Sequence, residues 1–250
     1  MPLARAIICT LLLCVLPARA DTTTVAVASN FKQAMEQLVA EFEKKSGHEV
    51  RVAYGSSGKL YAQILHGAPF DAFFSADRAK PDALVRGERS VAGWRFTYAV
   101  GALVLWARDA TVTGPGWLRN TSFRRIALAN PRLAPYGAAA TQTLDALGLT
   151  EATRARWVQG ENIAQTYQFV ATGNADAGFV ARAQLGEDSA ATAWLVPPAL
   201  HEPIRQDVVL LQRGAGNAAA AALLTFVRSE AGRGIIARYG YRNVVEDGDS

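Results

Sequence analysis

The most constraining feature of this chain is a repeated passage from a short apolar run, through a small-residue turn, into a helical pattern. Thr23–Ala28 reads as a strand. Ser29-Asn30 then caps a helix whose apolar residues Phe31, Met35, Leu38, Val39 and Phe42 recur at helical spacing until Ser46-Gly47 ends it. Glu49–Tyr54 alternates as a second strand, and Gly55-Ser56-Ser57-Gly58 leads into a helix carrying Leu60, Ile64 and Leu65. Phe70–Ser75 is a third, buried strand, after which Asp77 can cap a helix running to Gly87. Strands alternating with helices predict a parallel sheet covered on both faces, with any ligand at the carboxyl ends of the strands.

Those strand ends have a particular chemistry. A small-residue turn opening a helix presents unpaired backbone N–H groups at the positive end of the helix dipole, so Ser56-Ser57-Gly58 is a candidate anion site. Taken alone, the same residues are ordinary helix caps, because serine is favoured there for stability.

The texture changes at Phe96–Trp106, an apolar segment too long for a typical strand and interrupted by Gly101, as expected where a chain crosses between domains. The loop at 109–121, with Gly114-Pro115-Gly116, reads as a surface excursion. A second series follows: strand Arg125–Ala129, the breaker Asn130-Pro131, a helix entered through Ala134-Pro135-Tyr136-Gly137, a short strand Arg156–Gln159, a helix opened by Glu161-Asn162-Ile163, and a buried strand Ala177–Ala181. Ile204–Leu211 can cross back, and helices over 218–227 and 230–239 complete the chain. The predicted fold is α/β, with two doubly wound sheets joined by two crossover strands. One lobe is expected to comprise residues 21–100 and 208–250 and the other residues 101–207, with a cleft between them.

Residues 1–20 stand apart. Arg5, the apolar stretch Ala6–Leu16 and Ala18-Arg19-Ala20 have the form of a secretory signal cleaved before Asp21, too short to span a membrane. Leu13 argues against lipid attachment at Cys14, where a small preceding residue is expected. Cleavage would leave 230 of the 250 residues, remove both cysteines (Cys9 and Cys14) and leave 24 basic against 22 acidic residues, a formal charge of +2. A charge that small, without a run of Lys and Arg interleaved with aromatics, argues against nucleic acid as a partner.

Enzymatic signatures are missing. The three histidines, His48, His66 and His201, lie away from the strand-end junctions, and neither a Gly-x-Ser-x-Gly elbow nor a His-Glu-x-x-His pair is present. A serine hydrolase built on Ser57 is the alternative from that class. Tyr239 and Tyr241 raise iron ligation, but their place in the last helix and tail favours packing. The five tryptophans lack the clustering that sugar stacking needs.

The stretches Ala28-Ser29-Asn30-Phe31, Gly55-Ser56-Ser57-Gly58, Gly67–Asp77, Asn130-Pro131 with Ala134-Pro135-Tyr136-Gly137, Ala177–Val180 and Arg238-Tyr239-Gly240-Tyr241 span the chain after the signal. In this order they resemble the periplasmic molybdate-binding proteins, the substrate-binding components of ABC importers with the two-lobe, type II periplasmic binding protein fold. The resemblance implies a monomeric periplasmic protein that binds molybdate or tungstate, needs no cofactor, is not an enzyme and serves an ABC permease. It implies contacts to the oxyanion from Ser29, Asn30, Ser57, Tyr136 and the backbone N–H of Ile163. Many members carry a tyrosine ligand where this chain has Ala181, and Tyr136 is expected to supply that hydroxyl instead.

The residue types suit such an ion. Molybdate at neutral pH is a fully deprotonated dianion, so its site needs donors only. Ser29, Asn30, Ser57 and Tyr136 can donate, and the matched positions hold no carboxylate to accept the proton of phosphate. Glu161 is the nearest acid in sequence. Sulfate shares the donor-only requirement, so a receptor for a smaller tetrahedral oxyanion is the alternative within the binding class.

Overall fold

A computed structural model describes residues 20–119 and 123–242; all of the expected signal before Ala20 lies outside the described residues. The first lobe is built as β1 (Thr22–Ala28), α1 (Lys32–Ser46), β2 (Glu49–Gly55), α2 (Ser57–Leu65), β3 (Ala72–Phe74), α3 (Ala79–Arg86) and β4 (Ser90–Gly101). The second holds β5 (Leu103–Trp106), α4 (Gly116–Arg119), β6 (Ile126–Ala129), α5 (Pro135–Ala146), α6 (Thr150–Arg154), β7 (Trp157–Gly160), α7 (Ile163–Ala171), β8 (Ala177–Ala181), α8 (Glu187–Ala191) and β9 (Trp194–Leu195). The chain then returns through β10 (Ile204–Leu211) and ends in α9 (Ala218–Arg228) and α10 (Glu230–Arg238).

Each lobe is a five-stranded mixed sheet, ordered β2-β1-β3-β10-β4 in the first and β7-β6-β8-β5-β9 in the second. The βα units pair in parallel, β1 with β2 and β3, β6 with β7 and β8. The strands next to the crossings, β10 and β5, are antiparallel to their neighbours. The sheets are therefore of one design used twice, and among the described residues no helix is long and apolar enough to cross a membrane.

The apolar run at 96–107 resolves into two strands separated by Ala102 alone, the end of β4 lying in one sheet and β5 in the other. Ile204, the first residue of β10, pairs with Gly101. Residues 204–207, which the sequence reading groups with the second lobe, pair with β4 in the first sheet, because β10 enters that ladder at its first residue. Both crossings thus lie side by side at Gly101 and Ile204.

Packing explains why these elements form. Phe31, Met35, Leu38 and Phe42 lie on one face of α1 and its entry turn and are buried with Val25, Val27 and Phe74 of the sheet. The opposite face of that sheet buries Ala26 and Phe73 with Leu60 and Ile64 of α2. Fully burying side chains of this size stabilises by about 1.5–3 kcal/mol each. Gly47 ends α1 at φ 72°, a left-handed conformation that glycine adopts without steric cost.

Candidate functional site

Four helical segments start at the carboxyl ends of parallel strands and face one another across the lobes. The strand-to-helix turn after β1 is a 3-10 turn, Ser29–Phe31, that runs directly into α1. Ser29 and Asn30 therefore do not cap α1 with their side chains, as the sequence suggests; Phe31 occupies the cap position and no side-chain cap bond is made. After β2, Ser56 caps α2, its hydroxyl accepting from Lys59 N at 3.4 Å. After β6, Ala134 leads into α5 with Pro135 in its first turn, and after β7 Asn162 Oδ1 accepts from Gln165 N at 3.0 Å to cap α7.

The structure brings all five predicted residues, Ser29, Asn30, Ser57, Tyr136 and Ile163, onto one cavity, completed by Ala28, Gly55, Ser56, Ala76, Ala134 and Pro135. Every lining residue is uncharged. The cavity is small, about 10 Å³, against about 490 Å³ for the open cleft that shares Ala76, Ala134 and Pro135 with it. It is far too small for an extended organic solute, whose pockets run to several hundred Å³.

The electrostatics of the cavity come from the backbone. None of the four helical segments that open on it has an acidic residue in its first turn. Among the helices that start elsewhere, α3, α6, α8 and α10 carry Asp82, Glu151, Glu187 with Asp188, and Glu230 there, while α4 and α9 also lack a first-turn acid. Carboxylates in a first turn offset the positive end of the helix dipole. Here that offset is left out at the helix starts that face the cavity, which leaves their N–H groups to an external anion. Glu161 turns away to the surface, where it pairs with Lys59 of the other lobe. It does not line the cavity.

Each side chain has a defined task. Ser57 is fully buried and its Oγ accepts from Ala76 N at 2.9 Å, so its own proton is left for an acceptor in the cavity. Asn30 is committed differently from expectation: its Nδ2 donates to Gln206 Oε1 at 2.8 Å and to Tyr241 Oη at 3.0 Å, and Tyr241 Oη donates back to the Asn30 carbonyl at 2.8 Å. Its side-chain donors are consumed, and what Asn30 can offer is the backbone N–H of its turn. Tyr136 is buried, which pushes its hydroxyl well above the ordinary tyrosine range, so it stays neutral and able to donate. Gln184 ties the end of β8 to the start of α7, its Oε1 accepting from Ala181 N and its Nε2 donating to the Ile163 carbonyl.

Sequence reasoning missed the polar network behind the cavity: Tyr98, Gln206 and Tyr241, all buried. Tyr241 does more than pack, since it holds Asn30. The histidines are elsewhere. His48 accepts from Asp21 N, and His66 and His201 face the carbonyls of Ala62 and Glu202. Across the mouth, Gly58 N donates to the Leu133 carbonyl at 2.9 Å, and a Cβ at Gly58 would sit 3.0 Å from Leu133 Cα.

Two sheets of one design, hinged side by side, with converging helix starts between them, define a two-lobe binding protein. A sequence model of the bacterial extracellular solute-binding proteins matches residues 23–242, and the chain belongs to that family. It is 48% identical over 229 residues to the molybdate-binding protein ModA of Azotobacter vinelandii, covering 90% of this chain and 91% of that one. It is 45% identical to the molybdate-binding protein ModA of Rhodobacter capsulatus, covering 90% of each. The solved structure of the Azotobacter vinelandii periplasmic molybdate-binding protein superposes with a TM-score of 0.85 over 89% of this chain and 99% of that one, at 38% identity.

Proposed function

We propose that this protein captures molybdate, and tungstate with it, between its two lobes and delivers it to the permease of an ABC importer. The observation that carries the reading is the cavity itself: five predicted contact residues and every other lining residue are uncharged, and the helix starts around it lack first-turn acids. A fully deprotonated oxyanion is the ligand such a donor set suits, and likeness to two molybdate-binding proteins over nine-tenths of the chain supports the same choice.

In this reading Ser57 and Tyr136 donate through their hydroxyls, Ser29 through its hydroxyl or amide, and Asn30 and Ile163 through backbone N–H groups. Neutral donors to a charged acceptor contribute about 1.5–3 kcal/mol each, so several suffice without a salt bridge. The Gly58–Leu133 hydrogen bond and the Lys59–Glu161 pair form as the lobes close about the strand crossing at Gly101 and Ile204. Residues 1–20 direct export and are removed before Asp21, and the protein works as a periplasmic monomer without turnover. Calorimetric titration with molybdate, tungstate, sulfate and phosphate tests the reading. Tight binding of the first two, with sulfate and phosphate much weaker, is expected; equal affinity for sulfate would make this a general sulfate-type receptor.

A further inference from the structure

We propose that Gln206 is a positioning residue of the anion site, aligning Tyr136 of one lobe and Asn30 of the other so that closure completes the donor set. The inference rests on the oxyanion reading of the cavity.

Gln206 does not line that cavity, yet it is fully buried and touches two residues that do. Its Oε1 accepts from Asn30 Nδ2 at 2.8 Å and lies 3.1 Å from the Tyr98 hydroxyl, while its Nε2 donates to Tyr136 Oη at 3.4 Å. The backbone is arranged to place it there. The β10–β4 ladder has an irregularity between Gln206 and Asp207, and both residues are buried, as is every residue on to Leu211, because both faces of this sheet are covered. Space is also reserved: a Cβ built at Gly101 would lie 2.1 Å from Tyr136 Oη and 2.7 Å from Gln206 Nε2.

The carboxamide has a direction. With its oxygen committed to Asn30 and Tyr98, its nitrogen can only donate to Tyr136. The Tyr136 oxygen therefore receives at that point, which fixes the tyrosine and with it the start of α5 that opens on the cavity. A carboxylate in place of the carboxamide would accept the Tyr136 proton instead and set a negative charge beside the anion. The same oxygen orients Asn30, whose side chain Tyr241 holds from the other side.

The test is calorimetric titration of molybdate into the full processed chain and its Gln206→Met, Gln206→Glu, Tyr136→Phe and Gln206→Met/Tyr136→Phe variants, with thermal unfolding of each without ligand. Gln206→Met is expected to weaken binding about tenfold or more, and Gln206→Glu, nearly isosteric, by a larger factor. If Gln206 acts through Tyr136, the double variant will bind hardly more weakly than Tyr136→Phe alone, a non-additivity that general loosening of the fold would not give. Undiminished binding by Gln206→Glu, or single effects that simply multiply in the double variant, would overturn the inference while leaving the anion site standing. Failure of the unaltered chain to bind molybdate would overturn the reading beneath it, and the inference with it.

Discussion

Ser57→Ala separates the two jobs of one hydroxyl. Ser57 Oγ accepts from Ala76 N at 2.9 Å inside the protein, and its proton is the one left to reach the anion. Alanine removes both. On the binding side, losing one neutral donor to a charged ligand costs about 1.5–3 kcal/mol, which corresponds to a dissociation constant raised roughly ten- to 150-fold. On the folding side, the buried Ala76 N–H loses its acceptor, at about 1–3 kcal/mol, and each kcal/mol lowers Tm by roughly 2–4 °C in a chain of this size. Ser56→Ala is the control, because Ser56 caps α2 through Lys59 N. It should lower stability by roughly 0.5–2 kcal/mol with a far smaller change in affinity. Titration calorimetry with molybdate and thermal unfolding without it read the two effects separately. An unchanged affinity in Ser57→Ala, whatever its Tm, would refute the assignment of that hydroxyl to the site.

Three further outcomes follow from the geometry. Gly101→Ala places a methyl group against Tyr136 Oη and Gln206 Nε2 where the backbone itself is unstrained, so overpacking of about 1–3 kcal/mol should appear as weaker molybdate binding; wild-type affinity would show that the closed arrangement does not need that space. Lys59→Ala breaks an ion pair whose side chains are 46% and 53% exposed, and should change affinity by less than about fivefold in titration, since such pairs contribute at most about 1 kcal/mol. Burial holds the hydroxyls of Tyr98, Tyr136 and Tyr241 above the ordinary value of 10.0, so the unfolded chain releases these protons first. Their contribution to stability is complete below that value and is lost as pH rises beyond it, by up to about 1.4 kcal/mol per pH unit for each tyrosine. Denaturant titrations at increasing pH should show the decline starting near pH 10, and a decline already present near pH 8 would have to come from other groups.

The strand-to-helix junctions were legible because their signals are local. Apolar spacing, Ser56 before α2, Asn162 before α7 and Pro135 at the start of α5 each act within a turn of helix, so the chain order alone predicts four helix starts at strand ends. The conformation at Ser29-Asn30 was not, because serine and asparagine read as caps and only Gln206, 176 residues away, and Tyr241 explain why Asn30 turns elsewhere. Gln206 and Asp207 are neighbours in a strand covered on both faces, and only partners distant in sequence, Asn30, Tyr98 and Tyr136 for the first and Arg95 and Thr97 for the second, show what each polar side chain does. The division of the run at 96–107 was hidden for the same kind of reason. Its residues are apolar apart from Thr97 and Gly101, and only pairing with different partners assigns Gly101 to one sheet and Leu103 to the other.

The central claim is that a fully deprotonated oxyanion is held by uncharged donors at four converging helix starts. Crystals grown with molybdate, measured for the anomalous scattering of molybdenum, test it most directly. The account predicts one strong peak in the cavity lined by Ser29, Asn30, Ser57, Tyr136 and Ile163, with Ser57 Oγ, Tyr136 Oη and the backbone nitrogens of Asn30 and Ile163 within hydrogen-bond distance of its oxygens. A peak outside that cavity, or one whose oxygens meet a carboxylate or a lysine or arginine side chain, would contradict it.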